Sequence, residues 1–345
     1  MKTRVFVGLI GITIGLALFA APALAGKRIV NCDRGQSLQK AILSGEGSAA
    51  PIEIRVLGSC HEDITFTRDN VSIIGDGNTT LVGHIRMFAS DQVVFSDLTI
   101  TGPGRGVTVL NGRTRFIRVN LVENEGVGVY GTGGAVIQFL DSQISNNHGS
   151  GADLEHSFLV LRGTEVNGNW GDGNDGITVR SNSSVRLEDS WVHMNQGNGI
   201  FANLSSTVQA INSHINGNGG VGMFFRNGSS GELLDSGVAA NGSHGLEVSG
   251  NSSVNVYGGI IVGNGDHGVW VSEHAFFHLV DAEISWNIGH GLVITADGGV
   301  VLEANSKVEN NTDENFQVVC QGKEASIEII SPAIAGPMEC PDPDF

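Results

Sequence analysis

The chain has 345 residues, 50 of them glycine, and its 36 acidic side chains outnumber 19 basic ones, so the formal net charge is −17. A field of that sign repels nucleic acid and anionic lipid surfaces, which excludes nucleic acid as a partner. It also disfavours a broad basic groove for an acidic polymer, unless metal ions or a local arginine cluster offset it.

The N-terminal segment, residues 1–25, is typical of a secretory signal peptide. Lys2 and Arg4 supply the positive start, an apolar stretch follows over residues 5–19, and cleavage is predicted after Ala25. The apolar stretch is shorter than the roughly 20 residues of a membrane span, although an uncleaved anchor is the alternative. We therefore expect a secreted or periplasmic protein whose mature chain has no membrane span.

Four cysteines form one pair near each end of the mature chain. Cys32 and Cys60 lie at the start, and Cys320 and Cys340 at the end. In an oxidising compartment local pairing is natural, so we predict the disulfides Cys32–Cys60 and Cys320–Cys340. Zinc binding is the rival interpretation, but the spacings contain no Cys-x-x-Cys.

Between the first two cysteines, Ser37 to Leu43 has the apolar spacing of a helix. Such a helix would be a lid over one end of a solenoid, where unpaired strand edges need protection. We accordingly predict an N-terminal cap over residues 26–70. The proline-rich tail predicts a C-terminal cap over residues 320–345.

The region between the caps, residues 71–319, is dominated by a repeat. Short apolar strands each follow a glycine, and most of these glycines are 23 residues apart. The anchoring glycines are Gly106, Gly128, Gly151, Gly176, Gly199, Gly222, Gly245, Gly268 and Gly291. This register predicts an all-β parallel β-helix, a solenoid of about 11–13 coils, with no room for crossover helices.

Asparagine recurs in a second register, mostly four residues before each glycine. The positions are Asn124, Asn147, Asn169, Asn195, Asn218, Asn241, Asn264, Asn287 and Asn310. Stacked coils would place these amides above one another, each donating to the carbonyl of its neighbour. The sequence therefore predicts an inward-facing asparagine ladder.

The glycine-anchored strands, the asparagine register, the N-terminal cysteine pair and the short lid helix together resemble the pectate-lyase-like superfamily of right-handed parallel β-helices. The likeness is greatest to exported bacterial members with β-helix repeats, and it covers residues 27–345. It implies a right-handed parallel β-helix. It does not imply one function, since the superfamily contains lyases, hydrolases, epimerases, adhesins and non-catalytic proteins.

The resemblance also implies that a binding cleft runs along the outward face of the strand after each glycine. On that face, Asp153 and Glu155 point outward from one strand, and Arg180 occupies the Glu155 position one coil later. Paired carboxylates beside an arginine suit proton transfer to or from a sugar, so these three are the candidate catalytic residues. The alternative is a surface ion pair between Glu155 and Arg180.

Further outward positions supply candidate substrate-binding residues. These are Thr178, Phe201, Phe224, Arg226 and Trp270. With Tyr130, the aromatic residues of this set form an outward row. Aromatic faces exposed in a row suit stacking against sugar rings, although they also stabilise parallel strands without any ligand.

Two metal sites are conceivable. The coil before Gly176 is longer than its neighbours, and Asp172, Asn174 and Asp175 on its loop are oxygen ligands that suit calcium; a bulge is the alternative. His244, His267 and His290 each precede an anchoring glycine and form a column that could take copper or zinc, although a straight column shares a metal only pairwise.

Catalytic motifs of the superfamily do not carry over. Gly289-His290-Gly291 and Asn311-Thr312-Asp313 match polygalacturonase motifs but in reversed order, and the paired aspartates and the Arg-x-Lys are missing. Asp153-Leu154-Glu155-His156 only loosely resembles the Asp-Pro-His of alginate epimerases.

The leading hypothesis is an exported β-helix that binds a polysaccharide on the outer face of one parallel sheet. Processing of that polysaccharide by lyase, hydrolase or epimerase chemistry is a further hypothesis, and the sequence leaves it open whether the protein is an enzyme. The alternative is a non-catalytic structural or surface scaffold. A third hypothesis is a periplasmic metal-handling protein.

Overall fold

A computed structural model describes residues 26–44, 50–171, 174–312, 317–321, 325–330 and 338–340; the predicted signal peptide lies outside these residues. Within the described chain there are 36 strands, one 3-10 helix at Cys32–Arg34 and one α-helix at Leu38–Leu43. The all-β prediction and the predicted lid helix are both confirmed. No helix in these ranges is long and apolar enough to cross a membrane.

The strands form two sheets, one of 13 strands and one of 23, called here the smaller and the larger sheet. The smaller sheet consists of Ile64–Phe66, Ile85–Phe88, Val107–Leu110, Val129–Thr132, Ala152–Glu155, Ile177–Arg180, Ile200–Ala202, Met223–Phe225, Leu246–Val248, Val269–Val271, Leu292–Thr295, Val318–Gln321 and Met338–Glu339. The larger sheet consists of Gly26–Asn31, Ile52–Leu57, Ser59–His61, Val71–Val82, Val93–Gly102, Arg113–Asn124, Val136–Leu140, Gln143–Ser145, Phe158–Arg162, Glu165–Asn167, Ser184–Glu188, Trp191–His193, Thr207–Ile211, His214–Asn216, Ser230–Leu234, Gly237–Ala239, Ser253–Tyr257, Ile260–Val262, Phe276–Val280, Glu283–Ser285, Gly299–Glu303, Lys307–Glu309 and Ser326–Ile329.

One coil contributes one strand to the smaller sheet and, in the regular region, two to the larger. Ile177–Arg180, Ser184–Glu188 and Trp191–His193 make up one such coil, and each pairs in parallel with the equivalent strand of the next coil. The 13 strands of the smaller sheet put the coil count at the upper end of the predicted range. Parallel pairing begins with Gly26–Asn31 on Ile52–Leu57, inside the predicted N-terminal cap.

The predicted asparagine ladder is present and buried. Asn195 Nδ2 donates to Asn218 Oδ1 at 2.9 Å, and Asn218 Nδ2 donates to Asn241 Oδ1 at 3.0 Å. Each carbonyl also accepts from the backbone N–H of the preceding ladder residue, as Asn218 Oδ1 does from Asn195 at 3.1 Å. The ladder therefore satisfies buried side-chain and backbone groups at once.

The prediction that Asn310 is the last member of the ladder is wrong. Asn311 occupies the position instead: its Oδ1 accepts from Asn287 at 2.9 Å, and its own amide donates to Gln317 at 2.7 Å. Asn310 takes the left-handed turn position with φ +57°, the role that Asn146 has before Asn147. Left-handed backbone suits asparagine, so this adjacent pair is ambiguous in sequence.

The anchoring glycines are required because the ladder packs directly against them. A Cβ on Gly222 would lie 2.6 Å from Asn241 Nδ2 and 2.6 Å from the carbonyl oxygen of Gly245. The glycine and asparagine residues thus recur together because each anchoring glycine packs against a ladder asparagine of the next coil.

Other interior columns complete the core. Phe95, Phe116 and Phe139 stack with ring centroids 5.3 and 4.4 Å apart. Buried hydroxyls form further ladders that the sequence reading did not identify; for example, Ser183 Oγ accepts from the backbone N–H of Ser157 at 3.1 Å.

Both predicted disulfides, Cys32–Cys60 and Cys320–Cys340, are confirmed. At the N-terminal end Ser37 caps the lid helix, its Oγ accepting from the backbone N–H of Lys40 at 3.1 Å. The side chain of Gln39 fixes the lid to the smaller sheet by bonding both backbone groups of Thr65 at 2.7 Å.

Candidate functional site

The outer face of the smaller sheet carries one continuous column of half-buried side chains, called here the outer column. Each member pairs in register with the next, one coil further along. Its members are Arg86, Thr108, Tyr130, Asp153, Thr178, Phe201, Phe224, Glu247 and Trp270. The next position, Val293, is 1% exposed and closes the column.

Asp153, Glu155 and Arg180 lie together on this face. Arg180 Nη2 is 2.8 Å from Asp153 Oδ2. The ion pair between Glu155 and Arg180, given above as the alternative, does not form. Glu155 Oε2 instead accepts a hydrogen bond from the Tyr130 hydroxyl at 3.0 Å. Each carboxylate therefore has its own donor.

Two polar atoms of this cluster are buried without a partner. Among the described residues, neither Asp153 Oδ1 nor Arg180 Nε has a hydrogen-bond partner. Burial raises the pKa of Asp153, and the charges of Arg180 and Arg105 partly oppose that shift. An unmatched acceptor and donor in one ion pair are costly, unless a ligand supplies the missing groups.

Arg105 and Tyr130 also belong to the site; Tyr130 was predicted as one of the outward aromatic residues, whereas Arg105 was assigned no role. The Arg105 guanidinium lies over the Tyr130 ring, 4.3 Å from its centroid. Burial, followed by the bond to Glu155, raises the pKa of Tyr130. The signal for Arg105 was available in its position immediately before the anchoring Gly106.

Thr178 connects this cluster to a buried acid, Asp175. Asp175 Oδ2 accepts from Thr178 Oγ1 at 3.1 Å, and Oδ1 accepts from the backbone and side-chain nitrogens of Asn198 at 3.0 and 2.9 Å. Burial raises the pKa of Asp175 to about 6 against these donors. Its carboxylate thus faces protein donors, which does not support the predicted calcium loop, whose Asp172 lies outside the described residues.

The aromatic members of the outer column come next along the axis. Phe201 and Phe224 have ring centroids 5.3 Å apart, and the Arg226 guanidinium lies 5.9 Å from the Phe224 centroid. Trp270 is two coils beyond Phe224 and contacts the imidazoles of His244 and His267, with centroids 5.1 and 5.5 Å away. The predicted binding residues thus extend along the axis and do not form one compact pocket.

The histidine column is a parallel stack. Ring centroids of His244, His267 and His290 are 5.2 and 5.3 Å apart. The backbone N–H of His290 donates to His267 Nδ1 at 2.9 Å, so that nitrogen is an acceptor. In the described chain the only closely grouped set of three metal-ligating residues is Cys32, Cys60 and Glu62, whose two sulfurs form a disulfide.

His148, which precedes the Asp153 strand, does not join the cluster. Its ring packs on Trp170 with centroids 4.2 Å apart. The two line a separate open depression together with Glu123, Glu125 and Asn146.

Comparisons with known proteins agree with this architecture. A family described as the right-handed beta helix region matches residues 83–237. No curated protein sequence matches the chain.

Solved structures match over most of the chain. The A-module of the mannuronan C-5 epimerase AlgE6 from Azotobacter vinelandii is 16% identical with a TM-score of 0.58, covering 90% of this chain and 95% of that one. A variant of the periplasmic alginate epimerase AlgG is 12% identical with a TM-score of 0.59, covering 90% and 84%. Likeness at these identities shows the fold alone. The chain therefore has the fold of a right-handed parallel β-helix.

Proposed function

We propose that this protein binds an acidic polysaccharide along the outer column and processes it by proton transfer at the cluster of Tyr130, Asp153, Glu155 and Arg180. The observation that carries this proposal is the unmatched pair of buried atoms, Asp153 Oδ1 and Arg180 Nε, on an outward face. A carboxylate and hydroxyl of one sugar unit would satisfy both atoms.

The shape of the fold supports a polymer rather than a small molecule. The interior is filled by apolar side chains and ladders, so ligands must bind on the flank. The outer column repeats at ~4.8 Å, about the advance of one sugar unit in an extended chain. A polysaccharide lying along the axis would thus meet one column residue per unit.

Arginine side chains near the outer column support binding of an acidic polymer, despite the protein's net charge of −17. Arg105 and Arg180 both lie beside the outer column near Asp153, where the charge of each opposes the rise in the pKa of that carboxyl. Such a local cation cluster offsets the repulsion of the whole molecule, because fields are strongest close to their source.

The chemistry follows from the substrate's own carboxylate. Removal of the proton from the adjacent carbon breaks the C–H bond and leaves an electron pair that delocalises into the carboxylate. Arg180, positioned by Asp153, stabilises that charge. Glu155 accepts the proton, and the Tyr130 hydroxyl is the donor nearest to it.

Two outcomes share this step. A proton returned to the opposite face gives the epimer, whereas expulsion of the neighbouring glycosidic oxygen gives an unsaturated product. The two solved epimerases named above have the same fold and act on mannuronan or alginate, which supports this class. The two disulfides support a location outside the cytoplasm, extracellular or periplasmic.

The test measures binding and turnover of mannuronan, polygalacturonate and neutral dextran. Deuterium incorporated next to the carboxylate in D₂O reports proton removal, and ultraviolet absorbance reports an unsaturated product. We expect Arg180→Gln to weaken binding of the acidic polymer about tenfold, or ~1.4 kcal/mol. Glu155→Gln should keep binding and lose turnover, and the double variant should combine the tenfold weaker binding with the loss of turnover.

The matched control is Glu188→Gln, because Glu188 pairs with Arg162 and Arg186 on the larger sheet. It should change neither binding nor turnover. Binding of the acidic polymer that is unchanged in Arg180→Gln and in the double variant would place the site elsewhere. If the wild-type protein binds no saccharide, the scaffold hypothesis replaces this one, since regular coils need no ligand.

A further inference from the structure

We infer that the far end of the outer column, where Glu247 lies between Phe224 and Trp270, is a separate subsite for an uncharged sugar unit. This inference rests on the proposed function, because it assigns a second specificity to the same bound polymer. It thereby describes the ligand as a polysaccharide in which acidic and uncharged sugars occur on one chain.

The carboxylate of Glu247 is open to a ligand. Asp153, Glu155 and Asp175 each accept a hydrogen bond from a protein donor. By contrast, no hydrogen bond or ion pair to Glu247 occurs among the described residues, although the side chain is half-buried. An ionised carboxylate only accepts hydrogen bonds, so it suits the hydroxyl donors of a sugar.

Aromatic rings lie on both sides of this carboxylate. The strand register places Phe224 one coil before Glu247 and Trp270 one coil after it. Trp270 packs against His244 and His267, and Phe224 packs against Phe201. Rings held by neighbours need little further ordering, so they suit stacking on the apolar faces of sugar rings.

The same carboxylate rejects a charged sugar. A uronate offers an acceptor and a negative charge where Glu247 needs a donor, and like charges at close range are unfavourable. The nearest cation, Arg226, is exposed and lies by the Phe224 ring, and the negative charge of Glu273 opposes its effect on Glu247. The arginines near Asp153 are several coils away, since Asp153 and Glu247 are separated by four strand spacings, or ~19 Å.

The test uses two hexasaccharides of the same backbone: uncharged β-1,4-mannohexaose and the corresponding hexamannuronate. We expect wild-type protein to bind both. Glu247→Gln and Trp270→Ala should each weaken mannohexaose about tenfold without weakening hexamannuronate. Arg180→Gln should do the reverse. Glu232→Gln, on the larger sheet, is the matched control and should change neither, with thermal unfolding confirming that every variant is folded.

Each other outcome overturns the inference. Binding of hexamannuronate without binding of mannohexaose removes this subsite and leaves the proposed function standing. Mannohexaose binding that Glu247→Gln leaves within twofold places the uncharged sugar elsewhere. Failure of both hexasaccharides to bind rejects the subsite, and it rejects the proposed function as well only when mannuronan and polygalacturonate also fail to bind.

Discussion

The asparagine ladder and the outer column have the same spacing along the axis, yet they differ in what repeats. Inside, every position from Asn124 to Asn311 is the same residue, and each is at most 5% exposed. Outside, the nine positions of the outer column carry seven different residue types, and all nine side chains are half-buried.

The difference has a physical cause. An inward amide bonds the identical amide above and below it, so one changed residue leaves two neighbours unsatisfied. An outward side chain can turn to water, so its identity is free of that constraint. The repeated inward residues therefore stabilise the fold, whereas the varied outward residues are available for ligand binding.

The largest effect is expected inside, where the glycines meet the ladder. Gly222→Ala should lower the free energy of unfolding by about 3 kcal/mol, because its Cβ would overlap an amide and a backbone carbonyl. Urea unfolding of Gly299→Ala is the control, since a Cβ there would meet atoms only at 3.5 Å and beyond. Equal midpoints for the two variants would contradict the close packing.

Asp175 lies on the boundary between the two regions, buried but bonded to the outer column. Its pKa is raised from 3.8 to about 6, so its contribution to stability is fully present below pH 3.8 and is lost as the pH rises through about 6. Two pKa units correspond to about 3 kcal/mol at most. Between pH 4 and pH 7, wild type should lose stability relative to Asp175→Asn by up to that amount.

Chemical unfolding of both proteins at several pH values measures this difference. Parallel pH profiles would show that Asp175 titrates alike in the folded and unfolded states.

A ladder amide should matter somewhat less than a ladder glycine. Asn241→Ala should cost about 1–3 kcal/mol, because the side-chain and backbone N–H groups of Asn218 lose their shared acceptor and Asn264 Oδ1 loses its side-chain donor. The control is Asn305→Ala, whose exposed amide donates to Asp281 at 2.9 Å. A denaturation midpoint unmoved by Asn241→Ala would mean that the ladder side chain is not needed.

The smallest stability change is expected on the outer column. The charge-neutral double variant Arg180→Gln with Asp153→Asn should change the free energy of unfolding by less than about 1 kcal/mol, because the arginine is 42% exposed. A loss comparable to that of Asn241→Ala would show that this ion pair is part of the folding framework and would weaken the contrast between the two regions.

The same contrast explains which features could be predicted from the sequence and which could not. Spacing alone gave the coils, the ladder and the outward positions, since period and burial are linked in a parallel stack. It missed the partner of Arg180, because a side chain can reach either the directly opposed residue or its diagonal neighbour. It missed Arg105 because the position before each anchoring glycine changes from coil to coil and only its three histidines form a clear pattern. It misplaced Asn310 because two adjacent asparagines fit one register.

The uniform register between coils has a further consequence for length. A whole coil could be inserted or deleted between Arg180 and Glu247 without changing the type of contact made by any other coil. Each such event would change their separation by one strand spacing, ~4.8 Å. Duplication of coils would therefore lengthen the distance between the acidic-sugar site and the uncharged-sugar subsite in fixed steps. It would thereby change which pattern of sugars fits both sites at once.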